Sequence, residues 1–274
     1  MCNKMMDNYM SVRVAKCRGF SILEIVIALA IMGILLFSGG KLVQTTRDFD
    51  DVAENKRYMN QVHDMLLTFV QVNGFLPCPD TDGDGAENRI GTDFRCADHF
   101  GTIPFLDLGV SAKDAWNQPL RYAVNRRTAT SADISNSDLT ASYFNDRVGG
   151  GIPFFRFSTP PIATTVAGGE VPTNGGNYRI CSETTVDCVA GDNLIEAAAI
   201  VVVVSFGKNG AQTWANGVTG LSAAEAENID ENDLRFWLAQ GSNDPANSFD
   251  DQLFWLTGYD VKYAVIKSGG VLLP

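Results

Sequence analysis

The pattern of apolar and polar residues changes sharply along the first quarter of the chain. Residues 20–40 read FSILEIVIALAIMGILLFSGG and contain one charged residue, Glu24. About 20 apolar residues are enough for a helix to cross a bilayer, so this segment is predicted to span a membrane. From Lys41 to Asn73 the apolar residues recur at intervals of three, four and seven, which predicts an amphipathic helix that ends before Gly74. The predicted buried stripe is Val52, Met59, Val62, Leu66, Phe69 and Val70.

Beyond Gly74 the pattern changes to short apolar segments separated by connections rich in Gly and Pro, which is typical of strands and long loops. The most apolar segment, AAAIVVVVSF, is too short for a second membrane span and is predicted to be the central strand of a sheet. The predicted strands are Gln118–Asn125, Ile152–Ser158, Asn177–Cys181, Ala197–Phe206 and Leu253–Thr257, with a short helix over Ser222–Asn228.

Charge is distributed unevenly along the chain, whose formal net charge is -11. The first 19 residues carry four basic side chains and one acidic one, a net of +3, so the rest of the chain carries -14. A basic segment before an apolar helix stays on the cytoplasmic side of a membrane, which directs the residues after the helix outwards. The acidic balance also argues against a nucleic-acid partner, since phosphate binding needs clustered Lys and Arg.

Four of the six cysteines, Cys78, Cys96, Cys181 and Cys188, follow the apolar segment. An even number of cysteines in an exported region suits an oxidising compartment. We predict the local disulfides Cys78–Cys96 and Cys181–Cys188, because each pair brackets a turn-rich loop. The alternative is that these cysteines are buried free thiols.

The start of the apolar segment resembles the prepilin class of type IV pilin-like proteins. Arg18, Gly19, Phe20, three further residues and Glu24 match its pattern of a basic residue, Gly, Phe and an acid at the start of a long apolar helix. The resemblance implies that prepilin peptidase cleaves between Gly19 and Phe20 and methylates the new amino group of Phe20. It also implies that Glu24 pairs with this amino group in a neighbouring subunit. The alternative is a plain signal anchor whose Glu24 reaches the membrane interface.

The same resemblance implies an α+β, type IV pilin-like fold with three segments. Residues 1–19 would be the leader, residues 20–73 a membrane-spanning and assembly helix, and residues 74–274 a globular head with an antiparallel sheet and long loops. A single span would hold the protein in the bacterial inner membrane, with its head in the periplasm, before it joins a pilus or pseudopilus. The expected partners are prepilin peptidase, other pilins or pseudopilins and the inner-membrane assembly platform.

Four segments of the head resemble a group of large prepilin-like proteins whose heads are uncharacterised. This resemblance favours one α+β head over an added adhesin domain, and it implies no activity. The chain contains no HExxH, GxSxG or Walker A sequence, so it is not expected to be an enzyme. The four segments are LPCPDTDGDG at 76–85, DAWNQPLRYAV at 114–124, SFGKNG at 205–210 and FDDQLFWL at 249–256.

Asp80, Asp82 and Asp84, followed by Gly85, match the opening of a calcium-binding loop. Alternate acids on a tight turn can converge on one hard cation, and the Gly permits the bend. The twelfth position of such a loop, which should be a bidentate Glu, is Gly91. A calcium ion is therefore the one cofactor considered, and the alternative is a polar turn held by the Cys78 disulfide.

The leading functional hypothesis is a structural minor pilin at or near the tip of a type IV pilus. A large head with predicted disulfides on an ordinary assembly helix favours it. The second hypothesis is a pseudopilin of a type II secretion system, which would have the same leader. The third is an adhesin or other binding head carried by the pilus.

Overall fold

The computed structural model describes residues 22–90, 95–124, 178–182, 193–230, 234–239, 241–242 and 249–272, with the backbone alone for residues 35–48, 90 and 95. The chain divides into two compact units, Met1–Phe49 and Asp50–Pro274. The predicted strand Ile152–Ser158 lies outside the described residues.

The first element is a helix, α1, that extends from Ile22 to Asn73. Gly74 follows its last residue and has a φ of 80°, which is accessible to a residue without a Cβ. The N–H of Gly74 donates to the carbonyl of Val70 at 2.8 Å, so the last turn of the helix keeps its hydrogen bond. The predicted end of the helix is confirmed.

The part of α1 in the second unit buries most of the predicted stripe. Val52 is the exception, because its side chain is 46% exposed, and its predicted burial is wrong. Periodicity identifies the apolar face of a helix, but it does not show where along the helix other elements begin to cover that face. The buried members are Met59, Val62, Leu66 and Val70, with Phe69 partly buried beside them.

Six of the described strands form one sheet in the order β3-β4-β6-β5-β7, with β8 paired to β6, and the remaining two form a separate pair. The strands are β1 (Arg89–Ile90), β2 (Arg95–Cys96), β3 (Phe100–Thr102), β4 (Arg121–Val124), β5 (Tyr178–Cys181), β6 (Leu194–Ser205), β7 (Arg235–Trp237) and β8 (Gln252–Thr257). The shorter helices are α2 (Phe105–Leu108), α3 (Gly210–Asn216), α4 (Ala223–Ile229) and α5 (Gly258–Lys267), with a 3₁₀ turn at Gly207–Asn209.

The central strand β6 is buried on both faces of the sheet from Ala199 to Ser205. Val201 and Val203 lie in the same buried cluster as the α1 stripe. Val202 and Val204 point to the opposite face, where they join a second buried cluster. Side chains alternate between the faces of a strand, so a strand covered on both sides must be apolar at consecutive positions. The predicted role of AAAIVVVVSF as a central strand is therefore confirmed.

The sheet is mixed, which corrects the predicted antiparallel sheet. β5 and β7 run parallel, with Ile180 opposite Phe236, whereas the other paired strands among the described residues are antiparallel. Parallel neighbours need a long crossover connection, and the chain passes through β6, α3 and α4 between these two strands. The apolar pattern within a strand does not encode the direction of its neighbour, so the sequence pattern misses this pair.

A disulfide joins Cys78 to Cys96, with their Cα atoms 5.2 Å apart. Both residues are at most 1% exposed. Glu87 supports the same loop, because its Oε2 accepts the N–H of Cys78 at 2.9 Å and pairs with Arg89 at 2.8 Å. Arg89 also donates to the carbonyl of Leu76 at 3.1 Å. The predicted local pairing of these two cysteines is thus present in the structure.

Replacing both Cys78 and Cys96 by Ala should lower the free energy of unfolding by about 3 kcal/mol, because the unfolded chain regains the freedom of the loop that the bond closes. Equilibrium urea unfolding, followed by circular dichroism without reductant, measures the loss. Ser111→Ala, a change at a polar surface position outside the loop, serves as the control and should cost less than about 1 kcal/mol. Equal losses in the two variants would contradict a stabilising role for the bond.

Candidate functional site

The amino-terminal part of α1 presents an exposed apolar surface. All the side chains of residues 22–34 are exposed, and nine of them are large apolar residues with exposed fractions from 49% to 84%. Exposed apolar surface of this extent is typical of a region that contacts other proteins or lipid. The nine residues are Ile22, Leu23, Ile25, Val26, Ile27, Leu29, Ile31, Met32 and Ile34.

Glu24 is the acidic residue of this surface and lies in the first turn of α1. A carboxylate in the first turn interacts favourably with the helix dipole, because the amino end of a helix carries a partial positive charge. Its side chain is exposed, so it is accessible to another molecule. Gly19 and Phe20, the predicted cleavage and methylation residues, lie outside the described residues.

A membrane span was predicted for residues 20–40. Among the described residues, no helix combines the length and the apolar character that are needed to cross a membrane.

The predicted metal-binding residues lie on a turn organised around the buried carboxylate of Asp80, which is 2% exposed. Its Oδ1 accepts the N–H of Gly83 at 2.7 Å and the N–H of Asp82 at 3.2 Å. Its Oδ2 accepts the N–H of Gly85 at 2.9 Å and the hydroxyl of Thr102 at 3.2 Å. Four donors thus compensate for burial of this carboxylate.

Asp82 and Asp84 are exposed and lie on the outer side of the same turn. One carboxylate oxygen from each of Asp80, Asp82 and Asp84 lies within 4.8 Å of the others, so the predicted residues do come together. Asp82 and Asp84 also accept backbone N–H groups, from Asp84 and Ala86 respectively. Such hydrogen bonds are also expected of a plain polar turn. Calcium binding at this turn stays a prediction.

Thr102, which completes the Asp80 hydrogen bonds, was missed by sequence reasoning. It lies 22 residues after Asp80, on β3, and the backbone of Asp80 pairs with it in an isolated bridge. No spacing in the sequence indicates this contact. Gly101 allows it, because an added Cβ would lie 2.4 Å from the carbonyl oxygen of Asp80.

Cys181, predicted to pair with Cys188, is also disulfide-bonded. Cys188 lies outside the described residues, so the predicted Cys181–Cys188 pair stays a prediction.

Residues 14–39 match the family model described as the prokaryotic N-terminal methylation motif. The match covers the predicted cleavage site and all of the exposed apolar surface at residues 22–34. The chain carries the class III signal peptide of type IV pilin-like proteins. No curated protein and no solved structure shows significant similarity to the chain.

The matched motif marks a family of pilin-type structural proteins that are generally non-enzymatic. The motif implies processing by prepilin peptidase and assembly with other pilins. It covers residues 14–39 and therefore carries no information about the head.

In the head, Asp80→Ala should lower the free energy of unfolding by about 3 kcal/mol, with or without calcium. The substitution leaves several donors around a buried site without their acceptor, and each such loss costs about 1–3 kcal/mol. Asp84→Ala is the matched control, because Asp84 is exposed, and it should cost less than about 1 kcal/mol. Urea unfolding of the purified full-length protein measures both. A loss for Asp80→Ala that appears in calcium and disappears in chelator would instead favour an ion-dependent turn.

Proposed function

We propose that this protein is a structural minor pilin of a type IV pilus. Prepilin peptidase removes residues 1–19, and residues 20–40 hold the processed protein in the bacterial inner membrane until the assembly platform inserts it into the filament. The methylation motif at residues 14–39 is the observation that carries the proposal.

The exposed surface of residues 22–34 supports assembly through α1. Burying apolar surface contributes about 25 cal/mol per Å², so nine large exposed side chains provide a strong driving force for packing against lipid or against other subunits. In the proposed pathway lipid covers this surface before assembly, and neighbouring helices cover it in the filament.

In this proposal, Glu24 determines the axial position at which a subunit packs in the filament. An acid in an apolar environment costs roughly 2.5–3.5 kcal/mol on membrane-insertion scales. A positively charged partner removes most of this cost, and the amino group of Phe20 in a neighbouring subunit is the partner that we propose. The pairing then favours one axial position of a subunit over the others.

The matched motif does not include the head, so the position of the protein in the pilus is inferred from the head itself. A large head with a disulfide-bonded core favours a specialised position such as the filament tip.

A pseudopilin of a type II secretion system has the same leader and is the second candidate. The two assignments differ in the filament that contains the protein. Immunogold labelling of sheared pili should detect it, whereas recovery with secretion components and absence from pili would favour the pseudopilin.

The amino terminus of the mature protein should be Phe20, carrying one methyl group, because the peptidase recognises Gly19 and the start of the apolar helix. Intact-mass and peptide mass spectrometry of protein from the native host decide this. Cells without the peptidase are the control and should contain the full leader. A mature chain that starts at another residue, or that keeps its leader in assembled filaments, would exclude the proposal.

Glu24→Gln should leave cleavage after Gly19 intact but reduce incorporation into filaments at least about tenfold, because the Phe20 amine of the neighbouring subunit would lose its charged partner. Asp50→Asn is the matched control. It removes the same charge from an exposed position farther along α1, and incorporation should stay normal. Quantitative immunoblots of sheared filaments and of membranes give the ratio. Normal incorporation of Glu24→Gln would refute the charge-pair role.

A further inference from the structure

A second group of acids lies at one end of the sheet, away from the Asp80 turn. Glu225 is in the first turn of α4, and Asp250 and Asp251 directly precede β8. One oxygen from each of the three carboxylates lies within 4.8 Å of the others. Asn209, in the 3₁₀ turn after β6, joins the group because its Nδ2 donates to Oε1 of Glu225 at 2.9 Å. Three separate segments of the chain therefore converge at this point.

Two of the three acids in this group are buried and Asp250 is partly buried, whereas in the Asp80 turn only Asp80 is buried. Glu225 is 1% exposed and Asp251 is 7% exposed, whereas Asp82 and Asp84 are exposed. Removing several carboxylates from water without a compensating charge is strongly unfavourable, since each ionised group loses its hydration.

Hydrogen bonds from the described residues compensate only part of this cost. Among the described residues, Oδ1 of Asp250 and Oδ1 of Asp251 are both buried and accept no hydrogen bond, and the same is true of Oδ1 of Asn209. Buried acceptors are normally satisfied, so three unsatisfied oxygens on the side chains of this group are consistent with a further ligand. The three are also the oxygen types that bind hard cations.

The remaining contacts hold these side chains in place. Oδ2 of Asp251 accepts a hydrogen bond from Nδ2 of Asn228 at 2.8 Å. Two hydrogen bonds with the backbone of Trp237 hold Asn228 in turn. Oδ2 of Asp250 accepts the N–H of Lys208 at 2.8 Å. Gly207 permits this approach, because an added Cβ would lie 2.6 Å from Cγ of Asp250.

Burial and the neighbouring acids disfavour the ionised forms of Asp250 and Asp251. Burial, followed by the influence of Glu225, raises the pKa of Asp250 to about 6, although Lys208 acts in the opposite direction. Burial also raises the pKa of Asp251 well above its usual range, and the charges of Glu225 and Asp250 raise it further.

We propose that Glu225, Asp250 and Asp251, together with Oδ1 of Asn209, bind a calcium ion in the head. Calcium–oxygen bonds are about 2.4 Å long, so one ion can bridge oxygens that are up to about 4.8 Å apart. A calcium ion accepts six to eight oxygen ligands from carboxylates, amides and water. The group contains neither His nor Cys, so zinc and copper are not the preferred ions. Magnesium usually keeps several waters and one or two carboxylates, which fits three buried acids less well.

The ion would connect the turn after β6, the start of α4 and the start of β8. Its effect would therefore be to stabilise the head, and this inference does not depend on whether the protein assembles into a pilus or a pseudopilus.

The test compares thermal unfolding of the purified full-length protein, in detergent, with calcium, with magnesium and with chelator. At a hundredfold excess over Kd, calcium should raise the melting temperature by about 5–10 °C, and magnesium should raise it less. Asp251→Asn and Glu225→Gln should each abolish most of this shift and weaken calcium binding at least tenfold in isothermal titration calorimetry. Asp64→Asn, a charge-matched change at a side chain that is 80% exposed, should keep both the shift and the affinity.

Three outcomes would overturn the proposal. Calcium could fail to change the melting temperature of the parent protein. The shift could survive in Asp251→Asn but be lost in Asp82→Ala, which would locate the ion in the Asp80 turn. Magnesium could match calcium, which would exclude the assigned ion. If a carboxylate variant fails to fold, Asn209→Ala removes one ligand without changing the charge and should still weaken calcium binding in calorimetry.

Discussion

The head depends on the burial of β6 on both faces. Its consecutive valines pack against the α1 stripe on one side and against a second cluster, which includes Tyr178 and Phe236, on the other. Because β6 also pairs with β4, β5 and β8, it positions most of the sheet as well as both layers that cover it. A polar residue at any central position of this strand would therefore enter one buried cluster or the other, which is a constraint that strands with one solvent-exposed face do not have.

The sequence predicts the elements whose pattern is local. The continuous apolar segment of β6 and the periodic stripe of α1 identify both elements, because burial imposes a recognisable spacing. Relations between distant segments are not encoded in spacing. The parallel pairing of β5 with β7 and the exposure of Val52 among the described residues depend on where the chain returns in space. Strand β4 starts at Arg121 rather than Gln118, because Asp114 accepts the N–H of Gln118 at 2.8 Å in a turn.

The candidate sites also differ in whether a local sequence pattern reveals them or only the fold brings their residues together. Arg18, Gly19, Phe20 and Glu24 are consecutive or nearly so, which makes the signal peptide recognisable from sequence. The acids of the Asp80 turn are also close in sequence, and the structure does bring them together. Glu225 lies far from Asp250 and Asp251 along the chain, and Asn209 comes from a third segment, so no local motif could reveal this group. The segments SFGKNG and FDDQLFWL attract notice separately in the sequence, but only the fold shows that they meet.

The cluster that contains the α1 stripe also contains Leu256 of β8 and Val261 and Val265 of α5. The first and last parts of the head unit thus share one core. A chain exported from its amino end would present the α1 stripe and the valines of β6 to solvent until nearly all of the head had crossed the membrane. Contacts between such distant segments form slowly. Apolar surface that stays exposed until these contacts form is prone to aggregation. Under the proposed export route, rapid translocation or a chaperone that shields β6 until the carboxyl end arrives would limit this exposure.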